Sequence, residues 1–293
     1  MSIRRWHASR SQLQVSIGWL AVLLLWEAAY RVIGWQPWIF PAPSHVIDAT
    51  LNLLGITTYL GEPLHAAWPW RSATAPSPSA WTSLGAIAHS QLVIAILTSG
   101  YRLLIGFVLS MLLGLLLGVL MWRYTLVNSM LGPVFLGMQT LPSVCWVPLA
   151  ILTLGISELG ILFVLIMGSF FAMSISLRDG LSTTPTIYRA AGLVFGARGL
   201  NFYWYVMLPA GLPALASSLR SGFSFAWRSL MGGELIFVLS RHGLGQLLST
   251  GREFGDIAQV VATMGIMVVF GMVVDRLVFA TIEKRVRARF GLA

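Results

Sequence analysis

The chain has 293 residues, 57% apolar and only 10% charged, with a mean hydropathy of +0.79. Soluble domains carry about a quarter charged residues, so this composition excludes a soluble enzyme, a disordered chain and a disulfide scaffold. The net charge of +9 (Lys+Arg 19, Asp+Glu 10) sits at the chain ends and in short gaps between apolar runs, which marks membrane topology rather than a nucleic-acid face.

A membrane-crossing helix needs about 20 apolar residues, and the chain offers about six such runs. Residues 1–10 are basic and an apolar stretch follows without a small-residue cleavage site, so the first span is read as retained. It covers 16–33 and carries Glu27 and Arg31 late. Residues 34–97 hold Phe40-Pro41-Ala42-Pro43-Ser44, Glu62-Pro63, Trp68-Pro69-Trp70 and Ala75-Pro76-Ser77-Pro78, which are turn and extended-chain signals. This region is placed outside, with a short amphipathic helix at 45–54. Residues 91–97 are apolar enough to start the second span early, as one long helix or one broken near Ser99-Gly100. Further spans are expected at 103–122, 127–152, 159–177, from 209–213 to 239, and at 257–279. The fold class is an all-α integral membrane protein with a short cytoplasmic helix between spans four and five. Gly114 and Gly118 sit at helix-packing spacing and are read as contacts inside one subunit.

With the N-terminus inside, the inner segments hold Arg4, Arg5, Arg10, Arg123, Arg178, Arg189, Arg198, Lys284, Arg285, Arg287 and Arg289. The outer segments hold fewer, Arg31, Arg71, Arg102, Arg241 and Arg252. Both termini are therefore expected in the cytoplasm.

Several chemistries find no support. Lys284 is the only lysine, and no glycine-rich phosphate loop precedes it. His7, His45, His65, His89 and His242 do not cluster at metal-ligand spacing, and the single cysteine, Cys145, has no disulfide partner within the chain. No nucleophile elbow occurs. No catalytic, cofactor or metal residues are assigned, and no nucleic-acid partner is expected.

The informative stretch is 188–209. Charge bias puts it in the cytosol, yet it has only two charges and is rich in aromatic and aliphatic residues. An exposed apolar patch marks a contact surface. Ala190, Ala191 and Gly192 form a low-profile helix face, and Gly196 and Gly199 supply a turn. Pro209 suits the start of the next helix. The expected shape is a helix–turn–helix offered to a soluble partner.

This stretch resembles the cytoplasmic EAA loop of ABC importer permeases, whose pattern is E-A-A, three residues, G, nine residues, I-x-L-P. Val206-Met207-Leu208-Pro209 takes the I-x-L-P place, Gly196 the glycine and Ala191 the first alanine. Two positions depart: Ala190 stands at the glutamate and Gly192 at the second alanine. The resemblance continues through Ser99–Phe107, Leu141-Pro142, Trp146-Val147-Pro148-Leu149, Leu154–Glu158, Leu212-Pro213, Leu219-Arg220, Ala226-Trp227, Gly233-Glu234 and Gly243-Leu244-Gly245. Phe40–Ser44 also fits the proline-rich segment after the first span in the nitrate/sulfonate/taurine branch. The segment 61–81 is longer than that branch usually carries.

The resemblance implies a type I importer permease in the bacterial inner membrane. Its parts would be an N-terminus with the first span (1–34), an external proline-rich segment (35–97), the permease domain (98–282) and a basic cytoplasmic tail (283–293). It implies a second permease copy, identical or a sister chain, within the lipid bilayer. Two cytoplasmic ATPases would dock on the loop through Ala190, Ala191, Gly192, Gly196, Val206, Leu208 and Pro209. A periplasmic or lipid-anchored binding protein would deliver the solute. ATP and magnesium would belong to the ATPase, and this chain would be no enzyme. A small anionic solute is implied, with Arg102, Arg220 and Arg228 outnumbering acids at membrane depth as added support.

Charged groups inside spans are functional candidates. Arg220, Trp227 and Glu234 lie on one face of span five at heptad spacing, while Arg228 lies on another. Arg220 and Glu234 are about 21 Å apart along the axis and do not pair within the helix. Two readings are open: a polar stripe along the translocation path, or anchors that stabilise helix packing. Trp146, in the break 141–148 of span three, is open to the same pair of readings. Arg102 and Asp275 are expected in structural ion pairs. A stand-alone carrier or channel is the alternative function, and it would need ion-coupling carboxylates inside spans.

Overall fold

The computed structural model describes residues 2–36, 39–54, 90–196 and 198–289, with side chains of 2–13, 15, 16, 186, 189, 200, 203, 204 and 208 outside that description. The segment 61–81 thus lies outside the described residues. In chain order the helices are α1 (Ser2–Ile33), α2 (Pro43–Leu53), α3 (Gln91–Arg123), α4 (Thr125–Thr140), α5 (Val147–Leu154) and α6 (Glu158–Ser182). They continue as α7 (Thr186–Val194), α8 (Gly199–Phe202), α9 (Leu208–Ile236), α10 (Leu244–Glu253), α11 (Ile257–Val274) and α12 (Ala280–Arg289). No strand occurs among the described residues.

Among the described residues, three runs are long and apolar enough to cross a membrane: Gln91–Arg123, Glu158–Ser182 and Ile257–Arg289. They contain the expected second, fourth and sixth spans. The second span starts early and is unbroken at Ser99-Gly100. The expected third span is not one rod. Thr125–Thr140 and Ser143–Leu154 meet at 103°, as a broken span or a re-entrant loop. Leu141 and Pro142 take extended backbone there, because a residue before proline is pushed out of the helical region. A 3₁₀ turn, Ser143–Trp146, then leads into α5. α1 and α9, at 32 and 29 residues, are long helices at the first and fifth expected spans. The amphipathic helix expected at 45–54 is α2.

The chain divides into two compact units, residues 1–94 with 247–266 and residues 95–246 with 267–293. In the first unit, α2 is tied to α1. Ser44 donates its N–H and hydroxyl to the Glu27 carboxylate at 3.3–3.4 Å, and Arg31 pairs with the same carboxylate at 2.8 Å. Trp26 and Trp35 flank the Phe40 ring at 5.5 and 5.1 Å. Ala49 packs with Ala258 and Ala262.

The second unit is built round α6. Ser157 caps it by accepting the Gly160 N–H at 3.2 Å, and Glu158 lies in its first turn, where the helix dipole favours negative charge. Ile161, Val164 and Leu165 of α6 are fully buried with Phe223, Ala226 and Leu230 of α9. α3 approaches α6 through glycines. A Cβ on Gly114 would stand 3.0 Å from that of Met173, and one on Gly118 would stand 2.9 Å from the Ser174 carbonyl. The Gly114–Gly118 pair therefore packs inside the subunit, as its spacing predicts. A second core group joins Met121, Phe135, Phe170, Phe171 and Ile175.

Candidate functional site: the 186–209 loop and the charges of α9

The loop between α6 and α9 is a compact apolar hairpin of helices. Residues 186–194 form a short helix with Arg189-Ala190-Ala191 at its centre, and the chain turns at Gly196, whose φ is +79, and Gly199, whose φ is +58. Both values suit glycine alone among the residues here. α8 then runs through a π-helical turn, Tyr203–Met207, into α9, with Pro209 in the first turn of that helix. Its missing N–H is no loss at that position.

Most of the apolar side chains of this loop face outward. Val194 is 84% exposed, Phe195 88% and Tyr205 78%. An open groove of about 420 Å³ lies among them, lined by Tyr188, Ala191, Gly192, Phe195, Val206 and Pro209, among others. Ala190 and Ala191 are exposed, and Gly192 is buried. A Cβ on Gly192 would meet both Val206 methyls at 2.8 Å and the Phe202 ring at 3.3 Å. That contact accounts for glycine where the motif has alanine. Four of the seven expected loop residues, Ala191, Gly192, Val206 and Pro209, line this groove, while Ala190 and Gly196 lie in the loop outside it. Leu208 opens α9, but its side chain lies outside the described residues.

Two charges of α9, Glu234 and Arg220, belong to two separate ion clusters. Near its C-terminal end, Glu234 is fully buried. Arg102 on α3 donates Nη1 to Glu234 at 2.8 Å, and Nε and Nη2 to Glu158 at 2.7 Å each. The Ser99 hydroxyl reaches Glu234 Oε2 at 2.7 Å, and the Gly245 N–H reaches it at 3.0 Å. Arg102 also donates to the Arg241 carbonyl at 2.9 Å. Gly243 packs against the Glu234 carboxylate, and a Cβ on Gly245 would stand 2.5 Å from the Glu234 Cβ. No residue with a side chain fits either place. The cluster therefore ties α3, α6, α9 and the turn before α10 at one point.

Towards the other end of α9, Arg220 holds Asp275 in a two-pronged pair, Nε to Oδ1 at 2.8 Å and Nη2 to Oδ2 at 2.7 Å. Its Nη1 reaches Glu283 of α12 at 2.9 Å. Two-pronged pairs fix orientation as well as distance. Trp227, between the clusters, packs on Phe270 with ring centroids 4.9 Å apart. Trp146 stacks on Phe171 at 6.3 Å and meets Phe163 edge-on. Its indole N–H is buried with no hydrogen-bond partner among the described residues. The structure therefore brings Arg102 and Glu234 together and joins Asp275 to Arg220, but it separates Arg220 from Glu234. Sequence reasoning missed Ser99 and Glu158 as members of the first cluster. Ser99 carried a signal as a possible helix break and, like Glu158, as part of the family resemblance, but not as a partner of Arg102 or Glu234.

Residues 110–288, more than half of the chain, match the family described as binding-protein-dependent transport system inner membrane component. The chain is 30% identical over 192 residues to a putative ABC transporter permease protein of Methanocaldococcus jannaschii, covering 66% of this chain and 72% of that protein. It is 24% identical over 272 residues to the taurine transport system permease protein of Escherichia coli, with coverage of 92% and 88%. It is 25% identical over 276 residues to the formylaminopyrimidine transport permease protein of Halalkalibacterium halodurans, covering 94% of each.

Proposed function

Because the chain belongs to the family of binding-protein-dependent transport system inner membrane components, we propose that it serves as the permease subunit of an ATP-driven importer, passing a small anionic solute inward by alternating access. It is a multi-pass inner-membrane protein that translocates rather than catalyses. Both termini lie in the cytoplasm. Two cytoplasmic ATPases, which carry the ATP and magnesium, seat on the 186–209 loops of a permease pair. That pair is two copies of this chain or this chain with a sister. A periplasmic or lipid-anchored protein delivers the solute from outside.

One observation carries the ATPase contact: apolar side chains as exposed as Phe195 and Val194 surround an open groove in a loop of few charges. Such a face is costly in water and is relieved by a partner. Docking converts nucleotide-driven closure of the ATPases into a push on α9, which follows the loop without interruption after Met207.

The anionic class rests on likeness to the taurine relative. The arginine excess lends less than the sequence suggests, because Arg102 and Arg220 are each held by two carboxylates. The carrier alternative finds no free coupling carboxylate. Among the described residues Glu27, Glu234 and Asp275 all hold arginines.

The test is reconstitution with a partner ATPase and binding protein. The expected result is ATP hydrolysis that rises when loaded binding protein is added. Solute movement by the isolated chain at carrier rates would overturn the reading.

A further inference from the structure

Beside its two ion clusters, α9 carries a polar strip that is exposed at Ser224 and Arg228. Ser217, Ser221, Ser224 and Arg228 recur at spacings of four, three and four residues. They therefore share a strip about 60° wide, roughly a quarter turn from the line of Arg220, Trp227 and Glu234. Ser224 and Arg228 are exposed, and Ser217 and Ser221 are half-buried. The Ser217 and Ser224 hydroxyls donate back to the carbonyls of Pro213 and Arg220, which turns their oxygen lone pairs outward. Arg228 donates Nε to the Ser224 carbonyl at 3.0 Å, and its guanidinium sits 4.5 Å over the Phe225 ring. Those contacts hold the head in place and leave its outer N–H groups free for an acceptor.

Depth is bounded by the clusters. Arg228 is about 12 Å along the axis from Arg220 and about 9 Å from Glu234. A guanidinium facing hydrocarbon there is expensive, so the strip must face water or protein. The long apolar helices of a second copy offer it no unpaired acid among the described residues. Among the described residues, the carboxylates in or at the ends of its long apolar helices are Glu27, Glu158, Asp179, Glu234, Asp275 and Glu283, and each already holds an arginine of its own chain.

Resting on the importer reading above, we propose that the Ser217–Ser221–Ser224–Arg228 strip lines the aqueous path and that Arg228 is the cation that contacts an anionic solute in transit. A guanidinium offers a forked pair of donors to a carboxylate-like or sulfonate-like group, and serine oxygens beside it keep the path wet without trapping the ion. Arg102 and Arg220 do not serve this role, being saturated by their own carboxylates.

Two measurements on the reconstituted complex with its ATPase and binding protein test this. In a Cys145→Ser background, Arg228→Cys should react with a charged methanethiosulfonate at least about tenfold faster than Leu112→Cys, an exposed apolar position on α3, because only the thiolate in water reacts. With labelled taurine and nitrate as probes, Arg228→Met should lower uptake of the transported anion about tenfold or more, the size expected for losing a charged hydrogen bond. Arg228→Lys should recover part of that uptake. An unreactive Arg228→Cys, or Arg228→Met with wild-type uptake, overturns the proposal. Absence of stimulated hydrolysis in the wild type overturns the importer reading instead, and the thiol rates still decide whether the strip is wet.

Discussion

The loop 186–209 and the Glu234 cluster invert each other. In the loop, apolar side chains lie open, with Phe195 88% exposed. In the cluster, charges lie shut in, with Arg102 2% and Glu234 0% exposed. The loop is incomplete and leaves apolar area for another molecule to cover. The cluster is complete, since each polar atom at its centre finds an acceptor or donor within the chain. α9 joins the two, starting where the loop ends and carrying Glu234 two residues before its own last residue. A contact made at the loop therefore acts on a helix whose far end is pinned. That arrangement suits transmission of force along α9 better than local bending.

The largest effect is expected from breaking the complete side. Removing one partner of a buried pair strands the other, at about 3–5 kcal/mol. Glu234→Gln keeps the shape and removes the charge that Arg102 and Ser99 hold. Arg102 keeps Glu158, so a destabilisation of about 3 kcal/mol is expected, read as a lower unfolding midpoint in detergent. Arg220→Gln is the internal comparison. Its cluster is more open, with Arg220 42% exposed, and solvent screening weakens such pairs to about 1 kcal/mol. Equal losses from the two substitutions would mean that burial does not separate the clusters.

These partnerships also mark where sequence reading stops. Apolar runs predicted the helices at 103–122, 159–177 and 257–279, because length and lack of charge are local properties. The loop was legible for the opposite reason: apolar residues stood where charge bias demanded exposure. The 103° bend was legible only as a weak break at Leu141-Pro142, since a charge-free stretch has no period to interrupt. Arg102 and Glu234 are 132 residues apart, and no spacing rule reaches that far. The seryl strip with Arg228 was present at helical spacing, but a serine that bonds its own helix fits a packed face equally well. Only the exposure of Ser224 and Arg228 separates the two.

On the incomplete side, Phe195→Asp is expected to leave the permease folded while weakening its hold on the ATPase. A well-buried aromatic anchor in an interface is worth about 2 kcal/mol or more, or roughly thirtyfold in affinity. Titration of detergent-solubilised permease with ATPase reads it directly. Unchanged affinity would show that the exposed aromatic is not the contact.

The smallest effects come from restoring the two motif residues this chain lacks. Gly192→Ala should destabilise by about 1 kcal/mol through overpacking against Val206. Gly192→Ala with Val206→Ala should recover most of that loss, because the two side chains touch and their effects couple. Ala190→Glu is a different matter. Ala190 is exposed, and a new carboxylate there displaces nothing, so stability should move by less than about 0.5 kcal/mol. Its readout is ATPase affinity as a function of salt. If the partner retains a cation matched to the motif glutamate, Ala190→Glu tightens binding at low salt and the gain fades as ionic strength rises. If binding weakens at every salt concentration, the ATPase has adapted to the uncharged position, and the contact made by this loop is apolar from Ala190 through Phe195.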